Sequence, residues 1–87
     1  MKKPDHVIVG IHVTNRVKHA TEVQAVFTQF GSCIKTRLGL HDTAHKDTDK
    51  GLILIEIVAP AAKVTAFCSA LARIKGVDVK KMVFKHN

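Results

Sequence analysis

The chain has 87 residues, with 14 Lys and Arg against 7 Asp and Glu and a formal net charge of +7. This length predicts a single domain, residues 1–87, with a small core. The absence of Trp and Tyr argues against a surface that stacks on single-stranded bases. The basic residues are scattered along the chain, which favours a solvated basic surface. A basic protein that interacts with nucleic acid is the alternative.

The cysteines and the first residues bear on where the protein works. Cys33 and Cys68 form neither a CxxC pair nor a disulfide framework. The opening residues, MKKPDH, lack an apolar signal segment. We therefore expect a cytoplasmic protein in a reducing environment, with no membrane association.

The first predicted elements are a strand and a helix. His6–Thr14 alternates with the period of a strand, and its apolar face consists of Val7, Val9, Ile11 and Val13. The apolar stripe of the helix consists of Ala20, Val23, Phe27 and Phe30. The helix can start at Asn15 as N-cap, or at Thr21 with Gln24 in a capping box. We favour Asn15 because a longer helix spans the sheet better, and we place the C-cap at Gly31.

Two further strands are predicted around a polar loop. The first is Cys33–Leu40, and one of its faces consists of Ile34, Thr36, Leu38 and Leu40. The polar segment 41–50 reads as a loop. Leu52–Val58 follows with the sequence LILIEIV, which predicts a strand that is apolar on both faces.

The last predicted elements are a second helix and a fourth strand. Proline is favoured at the first helical position, so the helix begins at Pro60, and it ends at Gly76. Its apolar stripe consists of Val64, Phe67, Cys68 and Leu71. Val77–Phe84 is the final strand. The order β-α-β-β-α-β predicts an α+β, ferredoxin-like fold, with a four-stranded antiparallel sheet in the order 4-1-3-2 and both helices on one face.

The third strand predicts an apolar surface on the face of the sheet that the helices leave open. Either its odd-numbered or its even-numbered apolar residues face away from the helices. The two sets are Ile53, Ile55 and Ile57, and Leu52, Leu54 and Val58. Leaving such a set in water costs roughly 1.5–3 kcal/mol per side chain, so we expect a homo-oligomer, a dimer or tetramer, that docks through the open sheet face. Glu56 is expected to pair with Lys35 or Arg37, across strands or across a subunit boundary.

Segments along nearly the whole chain carry a resemblance to a known family. They are Thr14-Asn15-Arg16, the stripe Val23, Phe27 and Phe30, the positions Ile34, Arg37 and Gly39, and the run from Ala70 to Val77 with Val79-Lys80. The chain resembles small stand-alone ACT-like regulators of the iron-only hydrogenase system, which are similar in fold to the C-terminal domains of nickel-responsive repressors. The resemblance implies a ferredoxin-like fold, an oligomer formed through the sheets and a sensory or regulatory role, and it carries over no site. The repressors also have a DNA-binding segment, for which this chain has no room, so regulation of transcription would need a partner protein.

The turn into the first helix is the candidate site for a small anionic ligand. Its residues are Asn15, Arg16, Lys18 and His19. Positive side chains at a helix N-terminus run against the helix dipole. They suit a carboxylate or phosphate held by backbone N–H groups and by Arg16. A solvated basic turn is the alternative, and the resemblance implies a ligand near this turn because ACT-like domains often bind small ligands there, at subunit interfaces.

Metal binding and catalysis have weaker support. His41 and His45 lie four residues apart, and His12 and Cys33 lie on strands, but the spacing is not that of a metal motif. The nickel-responsive repressors bind metal through His and Cys, so a nickel-type metal-sensing domain stays an alternative, with the metal and any cofactor unknown. The sequence shows no catalytic constellation, and we expect a protein that is not an enzyme.

Overall fold

Two β-α-β halves share one four-stranded sheet. The computed structural model describes residues 4–14, 16–40 and 51–85, without the side chains of residues 16–18. In chain order the elements are β1 His6–Val13, α1 Arg16–Gln29, a 3₁₀ turn Gly31–Cys33, β2 Ile34–Leu40, β3 Gly51–Val58, α2 Ala61–Ala72 and β4 Val77–Phe84. In this part of the chain, neither helix has the length and apolar character needed to cross a membrane.

The sheet is antiparallel, with the strand order β2-β3-β1-β4. This is the predicted order read from the opposite edge, so the ferredoxin-like prediction is confirmed. The central strand β1 pairs along its whole length with β3 and with β4; Val9, for example, lies opposite Ile55 of β3 on one side and Lys81 of β4 on the other. Directly opposed residues share a face, so this register fixes which side chains meet the helices.

The core lies between the helices and one face of β1 and β3. Its fully buried strand residues are Val7, Val9, Ile11, Val13, Ile55 and Ile57. Phe67 of α2 joins the two helices, because its ring lies 6.1 Å from that of Phe27 and 5.5 Å, edge to face, from that of Phe30. The isoleucines of β3 therefore face the helices, while Leu52, Leu54 and Val58 lie on the opposite face.

The ends of the helices match the predictions only in part. α1 begins at Arg16, which fits the longer of the two predicted helices, although Asn15 itself lies outside the described residues. It ends at Gln29, and Gly31 opens a 3₁₀ turn without a positive φ, so the predicted C-cap at Gly31 is wrong. α2 begins at Ala61, one residue after the predicted start.

Gly76 holds the turn between α2 and β4 against the end of β1. Its φ is +84°, a region that side chains disfavour, and its carbonyl accepts a 2.8 Å hydrogen bond from the N–H of Thr14. A Cβ at this position would lie 3.1 Å from the carbonyl oxygen of Thr14. Glycine is required here for both its conformation and its small size.

A bulge in β2 changes which face one residue occupies. Ile34 pairs with Ile57 and Thr36 pairs with Glu56, so Lys35 is an extra residue in the ladder. Ile34 consequently packs against the core, whereas Thr36 and the leucines after it lie on the open face. The prediction that Ile34 shares their face is wrong because strict alternation does not survive a bulge.

Candidate ligand-binding site

The open face of the sheet is apolar, as predicted. On β2 and β3, four leucines form adjacent cross-strand pairs that we call the leucine block: Leu38, Leu40, Leu52 and Leu54. On β1 and β4, Ile8, Met82 and Phe84 continue the surface. Large fractions of Met82, Phe84 and Leu38 are exposed, 58%, 56% and 51% respectively. An apolar surface of this kind is typical of an interaction site.

Glu56 is the centre of a small polar cluster at one end of this face. The hydroxyl of Thr36 donates to its Oε1 at 2.6 Å, and Nε2 of His6 lies 2.7 Å from its Oε2. The hydrogen bonds from Thr36 and then His6 hold the pKa of Glu56 below its ordinary value, and the charge of Lys35 adds a smaller effect in the same direction. Among the described residues, the hydrogen-bonding partners of Glu56 are thus Thr36 and His6 rather than the expected Lys35 or Arg37.

A cleft of about 290 Å³ opens between α1 and the adjoining ends of β2 and β3. Its apolar wall consists of Val13, Ala20, Val23 and Ile53. Its polar residues are Gln24 of α1 and Arg37 of β2. Gly39 also lines the cleft, where a side chain would meet nothing within 4 Å of its Cβ. The shape and lining are those of a small ligand site, mostly apolar with a few polar groups at one place.

Arg37 is held in this cleft by neutral partners. Its Nη1 donates a 3.0 Å hydrogen bond to Oε1 of Gln24, and its Cζ lies 4.8 Å from the ring centre of Phe27. Across residues 4–14, 16–40 and 51–85, no carboxylate lies within ion-pair distance of the guanidinium. The result is a positive charge that two neutral contacts hold at the exposed surface of the cleft, without a counter-charge in the described part of the chain.

The structure separates the predicted ligand turn into parts. Asn15 lies outside the described residues, and Arg16 and Lys18 lie in the first turn of α1 without described side chains. His19 is buried, at 8% exposed, with its Nδ1 3.4 Å from Oε1 of Glu22. Its ring faces the turn at Gly76 rather than the cleft.

The cleft nevertheless lies beside this turn. Ala20 borders the cleft, and position 16 precedes it by one helical turn on the same face of α1. Sequence reasoning missed Arg37 and Gly39 as site residues. The sequence did contain a pattern that indicates them. Both residues alternate with Leu38 and Leu40 along β2, so they lie on the opposite face of the strand. Because the leucines lie on the open face, Arg37 and Gly39 lie on the face that the helices cover.

Metal binding gains no support from the described residues. No three side chains of His, Cys, Asp or Glu come together within them as a metal site. His41 and His45 lie outside the described ranges. His12 and Cys33 lie at opposite ends of the sheet, since His12 pairs with the start of β3 and the residue after Cys33 pairs with its end. Cys68 packs against the core, and burial raises the pKa of its thiol.

Solved structures of other proteins share this fold. The uncharacterized protein TM1266 from Thermotoga maritima superposes with a TM-score of 0.83 at 24% identity, over 97% of this chain and 100% of that chain. The apo form of CPII from Thiomonas intermedia K12, a nitrogen regulatory PII-like protein, superposes with a TM-score of 0.53 at 14% identity, over 99% of this chain and 98% of that chain. No match is found among curated protein sequences.

The family is shown by the sequence itself. Residues 6–81 match the protein family described as "TM1266-like: Iron-only hydrogenase system regulator, putative". This match confirms the resemblance inferred from the sequence, and it supports a regulatory role. Because it spans most of the chain, the protein belongs to the TM1266-like family.

Proposed function

We propose that this protein is a non-enzymatic regulatory domain that senses a small anionic ligand as a homo-oligomer. The description of its family as regulators supports the role. The observation that carries the proposal is the uncovered apolar face of the sheet, which a monomer would leave in water. Any effect on transcription would pass through a partner protein.

A second copy of this chain is the occupant that best fits the open face. A two-fold pair places the same patch on both subunits, so the leucine block and Met82 of each copy find an apolar counterpart. The face also carries both signs of charge, with Glu56 and Asp78 against Lys80. Two copies can therefore satisfy apolar and charged groups together.

The ligand is proposed to bind beside the first turn of α1. The cleft supports this placement, since it lies one helical turn from Arg16. Asn15, Arg16 and Lys18 are the proposed direct contacts. The burial of His19 and its contact with Glu22 support a role for His19 in positioning the turn.

Sedimentation equilibrium tests the assembly. We expect a dimer or larger species at about 10 µM, and a weakening of at least about tenfold in Leu38→Asp, because a charge enters an apolar interface. Thr65→Asp is the matched control, since Thr65 is an exposed residue of α2 and the same charge is introduced. A strictly monomeric wild-type protein, or an equal effect of both variants, would contradict the proposal.

A further inference from the structure

We infer that the cleft between α1 and the ends of β2 and β3 binds a small organic carboxylate with an apolar body, with the carboxylate on Arg37. This inference rests on the proposed function and deepens it, since it places the anionic head of the ligand on Arg37, beside the contacts proposed in the first turn of α1, and names the class of ligand. It is carried by three features of the cleft: a guanidinium that two neutral contacts hold and that has no carboxylate partner among residues 4–14, 16–40 and 51–85, a neighbouring amide donor without a partner in the same residues, and an apolar wall of matching size.

The guanidinium of Arg37 is prepared for an anion. Phe27 supports it at 4.8 Å and Gln24 accepts one of its N–H groups at 3.0 Å. An arginine has five N–H donors, so most of them are left for a ligand. Holding the side chain in place before binding reduces the entropy that binding would otherwise cost. A planar fork of donors fits a carboxylate in a two-point contact.

Gln24 supplies the second donor. Its Oε1 is used by Arg37, so its amide NH₂ is the group left over, and within residues 4–14, 16–40 and 51–85 that NH₂ makes no hydrogen bond. The amide and the guanidinium both line the cleft. Together the two side chains present hydrogen-bond donors. The acceptor that they contain, Oε1 of Gln24, already receives a hydrogen bond from Arg37. This arrangement selects a ligand with an anionic head.

The rest of the cleft selects an apolar body. The wall from α1 and the strands consists of Val13, Ala20, Val23 and Ile53. The volume of about 290 Å³ suits a small ligand with a short hydrocarbon body. A ligand of this size buries its apolar part against the wall while its head stays at Arg37.

Gly39 keeps the cleft open. It pairs with Ile53 on the helix-covered face, and a Cβ built on it meets nothing within 4 Å. A valine at this strand position would therefore enter the cleft without a clash with the protein. Gly31 in the 3₁₀ turn has the same open surroundings and lies away from the cleft, so it offers a matched control.

Amide NMR spectra of the full chain test the inference, with hexanoate as probe. We expect saturable shifts of the amides of Gln24, Arg37 and Gly39 at concentrations up to about 10 mM, which corresponds to weak binding of a small probe. Hexan-1-ol has the body without the charge, acetate has the charge without the body, and inorganic phosphate is an anion of another kind. Each of these should bind at least about tenfold more weakly than hexanoate, because each forfeits one part of the site.

Variants at Arg37 and Gly39 then locate the binding, with Gly31 as the control position. Arg37→Gln should weaken hexanoate about tenfold or more, and Gly39→Val should abolish its binding, while Gly31→Val should leave it unchanged. The same spectra report whether each variant is folded. Arg37→Lys, which keeps the charge and loses the fork, should fall between Arg37→Gln and the wild-type protein.

The contrary outcomes are equally definite. Equal binding of hexanoate and hexan-1-ol, shifts confined to the open face, full binding by Gly39→Val, or no shift with hexanoate would each overturn the inference. Tighter binding of phosphate than of hexanoate would overturn the carboxylate class. These results are independent of sedimentation, so a failure of this site and a failure of the proposed assembly can be told apart.

Discussion

The two faces of β3 have similar side chains and very different surroundings. On one face Ile55 and Ile57 are fully buried under the helices. On the other, Leu52 is 37% exposed, and its cross-strand partner Leu40 on β2 is 43% exposed. Apolar residues occupy a face that no helix or strand of the described residues covers. The comparison teaches that the helices complete only half of the burial for which this strand is suited, and the second subunit that we propose would cover the remaining half.

The largest expected effect on stability comes from truncating a side chain on the face of the sheet that the helices cover. Ile55→Ala should lower the free energy of unfolding by about 2–5 kcal/mol, because it leaves a cavity in a packed core. Leu38→Ala should cost less than about 1 kcal/mol in dilute protein, since half of that side chain is already exposed. Urea unfolding at low protein concentration measures both. Equal losses of unfolding free energy in the two variants would show that side chains on the two faces contribute equally to the stability of the monomer.

The next effect distinguishes the open face by its dependence on concentration. If a second copy covers this face, the thermal midpoint should rise by about 3 °C for each tenfold increase in protein concentration. Met82→Asp should remove most of that rise, because Met82 lies in the exposed surface. Calorimetry at several concentrations measures it. A wild-type thermal midpoint that is independent of protein concentration would show that no second copy of the chain covers the open face.

A smaller effect concerns the turn that holds the covered face together. Gly76→Ala should cost roughly 1–2 kcal/mol, because a side chain is forced into the left-handed region and its Cβ meets the carbonyl oxygen of Thr14. Gly31→Ala is the control, since its Cβ meets nothing and its φ is not positive. Urea unfolding reports both variants. A loss in Gly31→Ala as large as that in Gly76→Ala would refute the conformational argument.

The smallest effect lies in the polar cluster of the open face. The pKa of Glu56 is lowered in the folded protein, so its contribution to stability is present above the ordinary carboxyl value of 4.5 and is lost as the pH falls through the lower folded value. Glu56→Gln should therefore lower stability slightly near neutral pH, where the ionised carboxylate contributes, and the two proteins should converge as the pH falls, so the acid side of the variant's stability profile is flatter. Thermal melts from about pH 6 to about pH 3 measure this. An unchanged acid side would mean that the bonds to Thr36 and His6 do not favour the ionised form.

Much of the fold could be predicted because its signals are local. The apolar stripes of α1 and α2 and the two-faced apolar character of β3 follow from residue spacing, and they define the order of elements. The choice between the two rows of β3 could not be predicted, since both rows are apolar. The bulge at Lys35 was missed for a similar reason, because no local residue type marks it.

The site was less predictable because its parts meet only in the folded chain. Glu56 finds His6 at a separation of 50 residues, through the pairing of β1 with β3. The cleft requires α1 to lie over Arg37 and Gly39, which depends on how the helix packs across the sheet. Spacing along the sequence identified the basic turn, but it could not show that His19 points away from the cleft.

Two leucines belong at once to the cleft and to the open face. Leu40 and Leu52 line the cleft and are also members of the leucine block. A molecule bound in one place and a subunit docked in the other would therefore touch the same two side chains. Thermodynamic reciprocity then applies: by whatever factor occupancy of the cleft tightens or loosens association, association changes the affinity of the cleft by the same factor. Under the proposed function, a shared wall of this kind would let an 87-residue chain convert the level of a small ligand into a change of assembly.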